Sequence, residues 1–408
     1  MLTKNTKLIK NCKPALLKLF RKDLKKYIEL FFWEKEVSGP EDSDIFDVLE
    51  KAGLISKHHS AYSANVMVYP LKDKFIITDF IFSTRRKKII KVGREIQTLF
   101  VRKRDQVWAM LPHETPQIIS RLKIKEGDVV LDLATGSGAI ALFCADHAEK
   151  VYATDINPKA IVYAQFNAIL NNLEHKIEFR IGDLFSPVKN IRFDYIVWNG
   201  PTVAAPNVAN PKTTYALSDF GGPDGATFSR KFINQVSPFM KKDSTIMFYD
   251  SCLGNKKRSV AVDYIAKKFS NDNYQIEINH LNKNRGIPLL ITRRFFNKYR
   301  NGKFPLAFDN FQEVDTSEKR WWKWLKANKL NYVHFSIVKI IPNPAKKFEI
   351  SERFPLKNII TPSFIFKEWH FMKETGIRKI FETEGTLIKT ALSAGFASPK
   401  PWRRRVIS

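Results

Sequence analysis

The stretch Asp128-Val129-Val130-Leu131-Asp132-Leu133-Ala134-Thr135-Gly136-Ser137-Gly138 decides the fold class. Its first six residues are largely apolar, which predicts a strand buried on both faces. The two glycines that follow permit a tight turn and let a ligand approach the backbone closely. Residues 139–147 then read as a helix. The alternation repeats outward from here. Residues 151–155 predict a second strand, and Pro158 opens the next helix. Residues 177–181 and 193–198 predict a third and a fourth strand, 229–240 a helix and 244–250 a fifth strand. Strands alternating with helices imply a mostly parallel sheet covered on both faces, an α/β fold. Asp155 lies 23 residues after Asp132, at the end of the second strand. A carboxylate there can accept both hydroxyl hydrogens of an adenosine ribose. Asp183 and Leu184 follow the third strand, where a side chain can read an adenine edge. No Gly-Lys-Ser/Thr follows the glycine loop, which disfavours a nucleoside triphosphatase.

The whole chain bounds what this unit can belong to. It has 408 residues, 44% of them hydrophobic and 27% charged, enough to bury a large core. Length alone suggests two or three domains. Cys12, Cys144 and Cys252 are far apart and lack metal-ligand spacing, so neither a disulfide framework nor a zinc site is expected. No apolar run is long enough to span a membrane. A reducing, cytoplasmic setting is expected. Lys and Arg number 68 against 41 Asp and Glu, a net charge of +27. A field of that sign attracts polyanions. Nine basic residues stand in the first 27 against Asp23 alone, a second cluster runs from Arg85 to Arg104, and the chain nears its end in Arg403, Arg404 and Arg405. Contact with nucleic acid or an acidic surface is one reading of these clusters. A lysine-rich composition spread over exposed faces is the other.

The flanks are less regular. Residues 1–105 read as an accessory domain: a first helix over 13–34, a short one over 45–52, then strands at 65–70 and 74–79. Helices followed by a hairpin suggest a winged-helix-like unit. The α/β domain is expected over 106–341, with a late strand at 289–295, a short aromatic helix at 318–326 and a strand at 333–341. Trp321, Trp322 and Trp324 either line a recognition surface or pack on the sheet. Residues 342–408, with apolar segments at 364–366 and 387–388, are expected to form an extension or cap.

Residues 111–225 resemble class I S-adenosylmethionine-dependent methyltransferases, in the small-domain group that contains the release-factor glutamine and ribosomal-RNA guanine enzymes. The resemblance rests on Leu-Asp-Leu-Ala-Thr-Gly-Ser-Gly at 131–138, Leu-Pro-His-Glu-Thr at 111–115 and Asp-Phe-Gly-Gly-Pro-Asp-Gly at 219–225. It implies a Rossmann-like sheet and S-adenosyl-L-methionine as cofactor. It implies that Asp132, Ala134, Thr135, Gly136 and Gly138 form the cofactor loop, that Asp155 holds the ribose, and that Asp183 and Leu184 face the adenine. His113 and Glu114 would lie near the methionine end of the cofactor.

One segment departs from the family. There the fourth strand ends in Asn-Pro-Pro-aromatic, which grips a planar amine and stacks on it. Here it ends in Asn199-Gly200-Pro201-Thr202. Asn199 and the Gly200 carbonyl retain the means to orient N–H groups, whereas Thr202 cannot stack. Asn199, Gly200 and Pro201 are the expected catalytic segment, and the resemblance also puts Asn199 among the cofactor-binding residues. His113, Glu114, Thr202, Tyr215 and Asp219 are candidate substrate or cofactor contacts, and no metal is expected. The implied activity is methyl transfer to a nitrogen of a protein, an RNA or a small molecule. The alternatives are a small-molecule O-methyltransferase and an inactive methyltransferase-fold module that binds RNA or protein.

Overall fold

The computed structural model describes residues 2–32, 34–39, 43–80, 87–92, 95–100, 104–107, 114–207, 216–270, 273–289, 311–345, 347–356 and 403–407. For residues 43, 87–92, 95–100, 311–316, 318 and 403–407 the backbone alone is described. Helices α1 (Thr6–Lys22) and α2 (Leu24–Phe31), strand β1 (Val37–Ser38) and helix α3 (Ser43–Lys51) come first. Strands β2 (Ile55–His58), β3 (Ala61–Ala64), β4 (Met67–Leu71), β5 (Lys74–Thr78), β6 (Lys87–Val92) and β7 (Glu95–Phe100) follow. The central part runs α4 (Thr115–Ile119), β8 (Val129–Leu133), α5 (Ala139–Ala145), β9 (Lys150–Asp155), α6 (Pro158–Leu170), β10 (Ile177–Ile181) and β11 (Phe193–Trp198). Then come α7 (Thr227–Gln235), β12 (Met240–Asp250), β13 (Leu253–Gly254), α8 (Val260–Lys268), β14 (Tyr274–His280) and β15 (Ile287–Pro288). The last elements are α9 (Phe311–Ala327), β16 (Tyr332–Val333), β17 (Ser336–Pro342), β18 (Glu349–Phe354) and β19 (Arg403–Ile407).

A nine-stranded sheet in the order β10-β9-β8-β11-β12-β17-β14-β18-β19 is the frame. The first five strands are mutually parallel, as the alternation of strands and helices predicts. Beyond β12 the sheet is mixed: β17 runs antiparallel to β12 and β14, β18 parallel to β14, and β19 antiparallel to β18. Alternate residues of each strand feed two cores. Val130, Val151, Val197 and Met247 pack with α5 on one face, and Leu131, Ile196, Trp198, Phe248 and Val338 pack with Phe232 of α7 and Ile265 of α8 on the other. Helices thus cover both faces, which is the predicted α/β layering.

The N-terminal region is helical and mixed, as its sequence indicates, but its first helix is divided. The expected single helix over 13–34 is two helices, α1 and α2, broken at Asp23. Asp23 leaves the helical conformation with φ −141°, and its carboxylate accepts the Lys26 N–H as the cap of α2. The hairpin β4-β5 docks on α6. Tyr163 and Phe166 of α6 share one core with Leu16, Tyr27, Phe31 and Phe46. Asn167 and Asn171, one helical turn apart, bond the backbone of Ile77 and Phe75 at distances of 2.7 to 3.2 Å.

Other boundaries also move. The helix expected over 229–240 ends at Gln235, and a 3-10 turn with Pro238 leads into a fifth strand that starts at Met240. The strand expected over 333–341 is two strands. At His334 the chain passes from the small sheet β13-β16-β15 into the large one, its N–H bonded to Cys252 O. Residues 290–295, 364–366 and 387–388 lie outside the described residues. Among the described residues no helix is long and apolar enough to cross a membrane, and no group of His, Cys, Asp and Glu could hold a metal ion.

Candidate active site

The sheet order reverses at β8: β9 lies on one side of it and β11 on the other. In open parallel sheets the crevice outside the carboxyl ends of such strands receives the ligand. Register fixes what meets there. Leu133 stands beside Thr154 and Trp198, and Asp155 beside Ile181. The residues that follow these strand ends, 134–138, 156–157, 182–184 and 199–202, therefore share one edge.

The glycine loop is held from below by two carboxylates. Asp132 is fully buried, and its Oδ2 accepts Thr135 Oγ1 at 2.5 Å and the Ala141 N–H at 3.0 Å. Its Oδ1 is buried with no hydrogen-bond partner. Burial raises its carboxyl to about 7, against the pull of those two donors. Asp155, half-buried at the end of β9, accepts the Gly136 N–H at 2.9 Å and the Asn157 N–H at 2.8 Å. Burial raises its carboxyl too, opposed by those backbone donors. Ala134 and Gly138 have φ +59° and +79°, and a Cβ on Gly138 would lie 2.9 Å from Ala164 Cβ. Gly138 is what lets α5 start so close to α6. Above Gly136, by contrast, a Cβ would meet nothing within 4 Å.

The segment after β11 is shaped by packing. A Cβ on Gly200 would fall on the indole of Trp198, which is itself buried and stacked on Phe232 at 5.2 Å. Among the described residues the half-buried side chain of Asn199 has no hydrogen-bond partner. Pro201 is half-buried beside it. Thr202, a candidate substrate contact by sequence, is only 4% exposed, and its hydroxyl is 2.6 Å from Ser251 Oγ. The 219–225 segment lies against this loop: Val203 N–H bonds Asp219 O, and Gly221 N–H bonds Val203 O. Asp219 is half-buried in that pairing. Asp224 caps Ala226 and forms a two-pronged pair with Arg230, at 2.8 and 3.0 Å.

Asp183 is exposed and Leu184, with φ +45°, is half-buried, both just beyond β10. Glu114 caps the start of α4 without a side-chain bond to it. Its charge adds to the burial that raises the Tyr249 hydroxyl. His113 and Tyr215 lie outside the described residues. Two residues that support the site escape a reading of motifs. Asn167 Nδ2 donates to Ser137 O of the glycine loop at 2.8 Å as well as to Ile77 O, and Trp321 Nε1 donates to Pro223 O at 2.7 Å. The sequence signal for the first is a pair of Asn at helical spacing in an otherwise apolar stretch.

Comparison with known proteins agrees with this architecture. Residues 109–216 match the family model "Methyltransferase small domain". A protein of Methanocaldococcus jannaschii, named for protein N5-glutamine methylation, is 32% identical over 138 residues, which cover 34% of this chain and 68% of that one. The chain belongs to the class I S-adenosylmethionine-dependent methyltransferases. The release factor glutamine methyltransferase of Thermodesulfovibrio yellowstonii is 33% identical over 177 residues, 41% of this methyltransferase-family chain. The match spans 60% of that relative's length, and 40% of the release factor glutamine methyltransferase of Moorella thermoacetica. The solved Methanocaldococcus jannaschii tRNA m1G37 methyltransferase aligns with 75% of this chain and 71% of its own, at 17% identity and a TM-score of 0.36. The residues present fit the family's cofactor. The loop leaves open space above Gly136, the buried Asp132 Oδ1 has no partner beneath it, and carboxylates at 155 and 183 stand at successive strand ends.

Proposed function

We propose that this protein transfers a methyl group from S-adenosylmethionine to a nitrogen of a protein or RNA substrate. The observation that carries the reading is the gathering of residues 134–138, Asp155, Asp183 and Asn199 on one sheet edge at the point where strand order reverses. When bound, S-adenosylmethionine supplies an electrophilic sulfonium methyl, so the difficult chemistry is the cofactor's own. The chain's task is to position and to exclude water. The ribose hydroxyls fall to Asp155, whose two oxygens already accept backbone N–H groups and retain further lone pairs. The adenine falls to Asp183 and Leu184, and the loop Ala134–Gly138 lies along the rest.

Asn199 is the residue assigned to the nucleophile. Its free amide oxygen and the Gly200 carbonyl orient the N–H groups of an amine or amide, and the nitrogen's proton leaves for solvent after transfer. Names among the relatives favour a nitrogen target: release factor glutamine, ribosomal protein uL3 glutamine and protein N5-glutamine. Thr202, bonded to Ser251, is turned to the fold's own support, so the planar clamp on the substrate comes from elsewhere.

Calorimetric titration with S-adenosylmethionine, followed by tritiated-methyl transfer to RNA and protein fractions, tests the reading. Micromolar binding that disappears in Asp155→Ala, with label incorporated into one fraction and lost in Asn199→Ala, is the expected result. A folded protein that binds no cofactor overturns it.

A further inference from the structure

Helix α9 and the turn after β13 build a basic, aromatic surface that the methyl-transfer reading leaves without a role. From Lys319 to Asn331 the chain carries Lys319, Arg320, Lys323, Lys326 and Lys329 and no Asp or Glu. All five are exposed, and among the described residues none is in an ion pair. Lys319, Lys323 and Lys326 are spaced i, i+4, i+7, one row along the helix about 10 Å long. Trp324 shares a second row with Arg320, i and i+4, about 100° further round the helix, with 39% of its surface exposed, while Leu325 faces the core. Lys256 and Lys257 add two more exposed cations at the corner of a tight turn, where their segment is bonded through Asn255.

The surface is tied to the candidate active site. Leu325 and Leu330 share a core with Leu253 of β13 and with Ala204, two residues past Thr202. Trp321, on the same helix, holds Pro223 O, and the adjoining Gly222 O accepts the Ala205 N–H. The helix is thus fixed, through two hydrogen-bonded steps, to the loop that carries Asn199. Val203 of that loop is 52% exposed on the way.

Like charges at i, i+4 repel, and a part-exposed indole leaves apolar ring surface in water. A polyanion removes the first cost, and a partner with planar rings uses the second. An acidic polypeptide answers only the charge. A single-stranded nucleic acid answers both, with phosphates along the lysine row and a base on the indole. We propose that α9 and the 255–258 turn form the docking surface for single-stranded RNA that presents a base to the Asn199 loop. This choice of substrate class rests on the functional reading above.

The test is fluorescence anisotropy of the full chain with a labelled single-stranded RNA of about 20 nucleotides, over about 50 to 200 mM salt. Wild type is expected to bind with an affinity that falls steeply with salt. In the triple variant Lys319→Gln/Lys323→Gln/Lys326→Gln, the slope of log K against log salt should flatten by about 2, since each phosphate contact on a single strand contributes about 0.7. Trp324→Ala should weaken binding by at least about 5-fold and leave the slope unchanged. Four results overturn the proposal. They are no RNA binding by folded wild type, an unchanged slope in the triple variant, preference for single-stranded DNA, and competition by polyglutamate with no effect of Trp324→Ala. S-adenosylmethionine titration of the same proteins separates the two readings. RNA binding without cofactor binding sinks the methyl-transfer reading and spares the surface, and cofactor binding without RNA binding does the reverse.

Discussion

Trp198 occupies the space that a side chain at residue 200 would need. The indole ends β11, stacks on Phe232 and lies against Gly200, so the glycine that separates this loop from the family's Asn-Pro-Pro pattern is matched to a residue two positions earlier. Adding a methyl to residue 200 forces either the indole or the backbone to shift, and overpacking of this kind costs about 1 to 3 kcal/mol. Gly200→Ala should therefore lower stability by that amount, and by less when Trp198 has been cut to Phe. Urea unfolding of the four proteins of the double-mutant cycle reads the coupling, expected at about 0.5 to 3 kcal/mol. Strict additivity would show that Gly200 is not held by Trp198.

Asn167 joins the N-terminal hairpin to the glycine loop. Its side chain accepts the Ile77 N–H at 2.7 Å and donates to Ile77 O and Ser137 O at 3.0 and 2.8 Å. In Asn167→Ala these buried backbone groups lose their partners, at about 1 to 3 kcal/mol for each group left unpaired. The variant should unfold at lower urea. Hydrogen exchange should also quicken both at 74–78 and at 135–138. Exchange confined to the hairpin would show that the loop does not depend on this residue.

Asp132 should make the protein less stable as neutrality is approached. Burial raises its folded-state carboxyl to about 7, whereas the unfolded chain ionises near its ordinary value. Between those values the folded state holds a proton that the unfolded state has lost, so stability falls as pH rises from about 4 to about 7. The fall is at most about 4 kcal/mol at 1.36 kcal/mol per unit. Asp132→Asn keeps an acceptor for Thr135 and Ala141 and cannot ionise. Its denaturation midpoint across this window should lack the part of the slope that wild type owes to Asp132. Parallel pH profiles would refute the assignment.

How far the sequence could be read follows from how each residue is satisfied. Strands β8 and β11 were legible because both their faces are buried and their composition is largely apolar, whereas β10, an edge strand with Glu178 and Arg180, was legible from its place in the strand–helix alternation. Strand β18 was not, since Glu349-Ile350-Ser351-Glu352-Arg353-Phe354 puts charges inside a sheet. They are tolerable there only because Arg285 and Glu277 meet them from other elements. Asp132, Asp155 and Asn199 sit at the strand ends where their motifs place them. Thr202 is a candidate substrate contact by its place beside the expected catalytic segment, and its pairing with Ser251, 49 positions away, leaves no trace in the local sequence. The Trp321 bond to Pro223 spans 98 positions and leaves no local pattern at all.

Glu352 is the group whose pairing acid should undo. It is fully buried, and Arg285 reaches it with Nε at 2.8 and 3.0 Å and a terminal nitrogen at 2.6 Å. His280, stacked on Phe354, stands 3.6 Å away, an ion-pair contact longer than a hydrogen bond. Burial by itself would raise the carboxyl, but these partners outweigh it and hold it at about 2. The pair therefore contributes fully above the ordinary glutamate value and is lost as pH falls toward 2, an effect of about 3 kcal/mol at most. Arg285→Ala strands the charge and should cost about 3 to 5 kcal/mol near neutral pH. It should also move acid unfolding to higher pH, because the carboxyl then protonates more readily. Replacing both residues by leucine should cost far less than the single change. A double variant as unstable as Arg285→Ala would mean that the pair holds β18 in the sheet by geometry rather than by balancing charge.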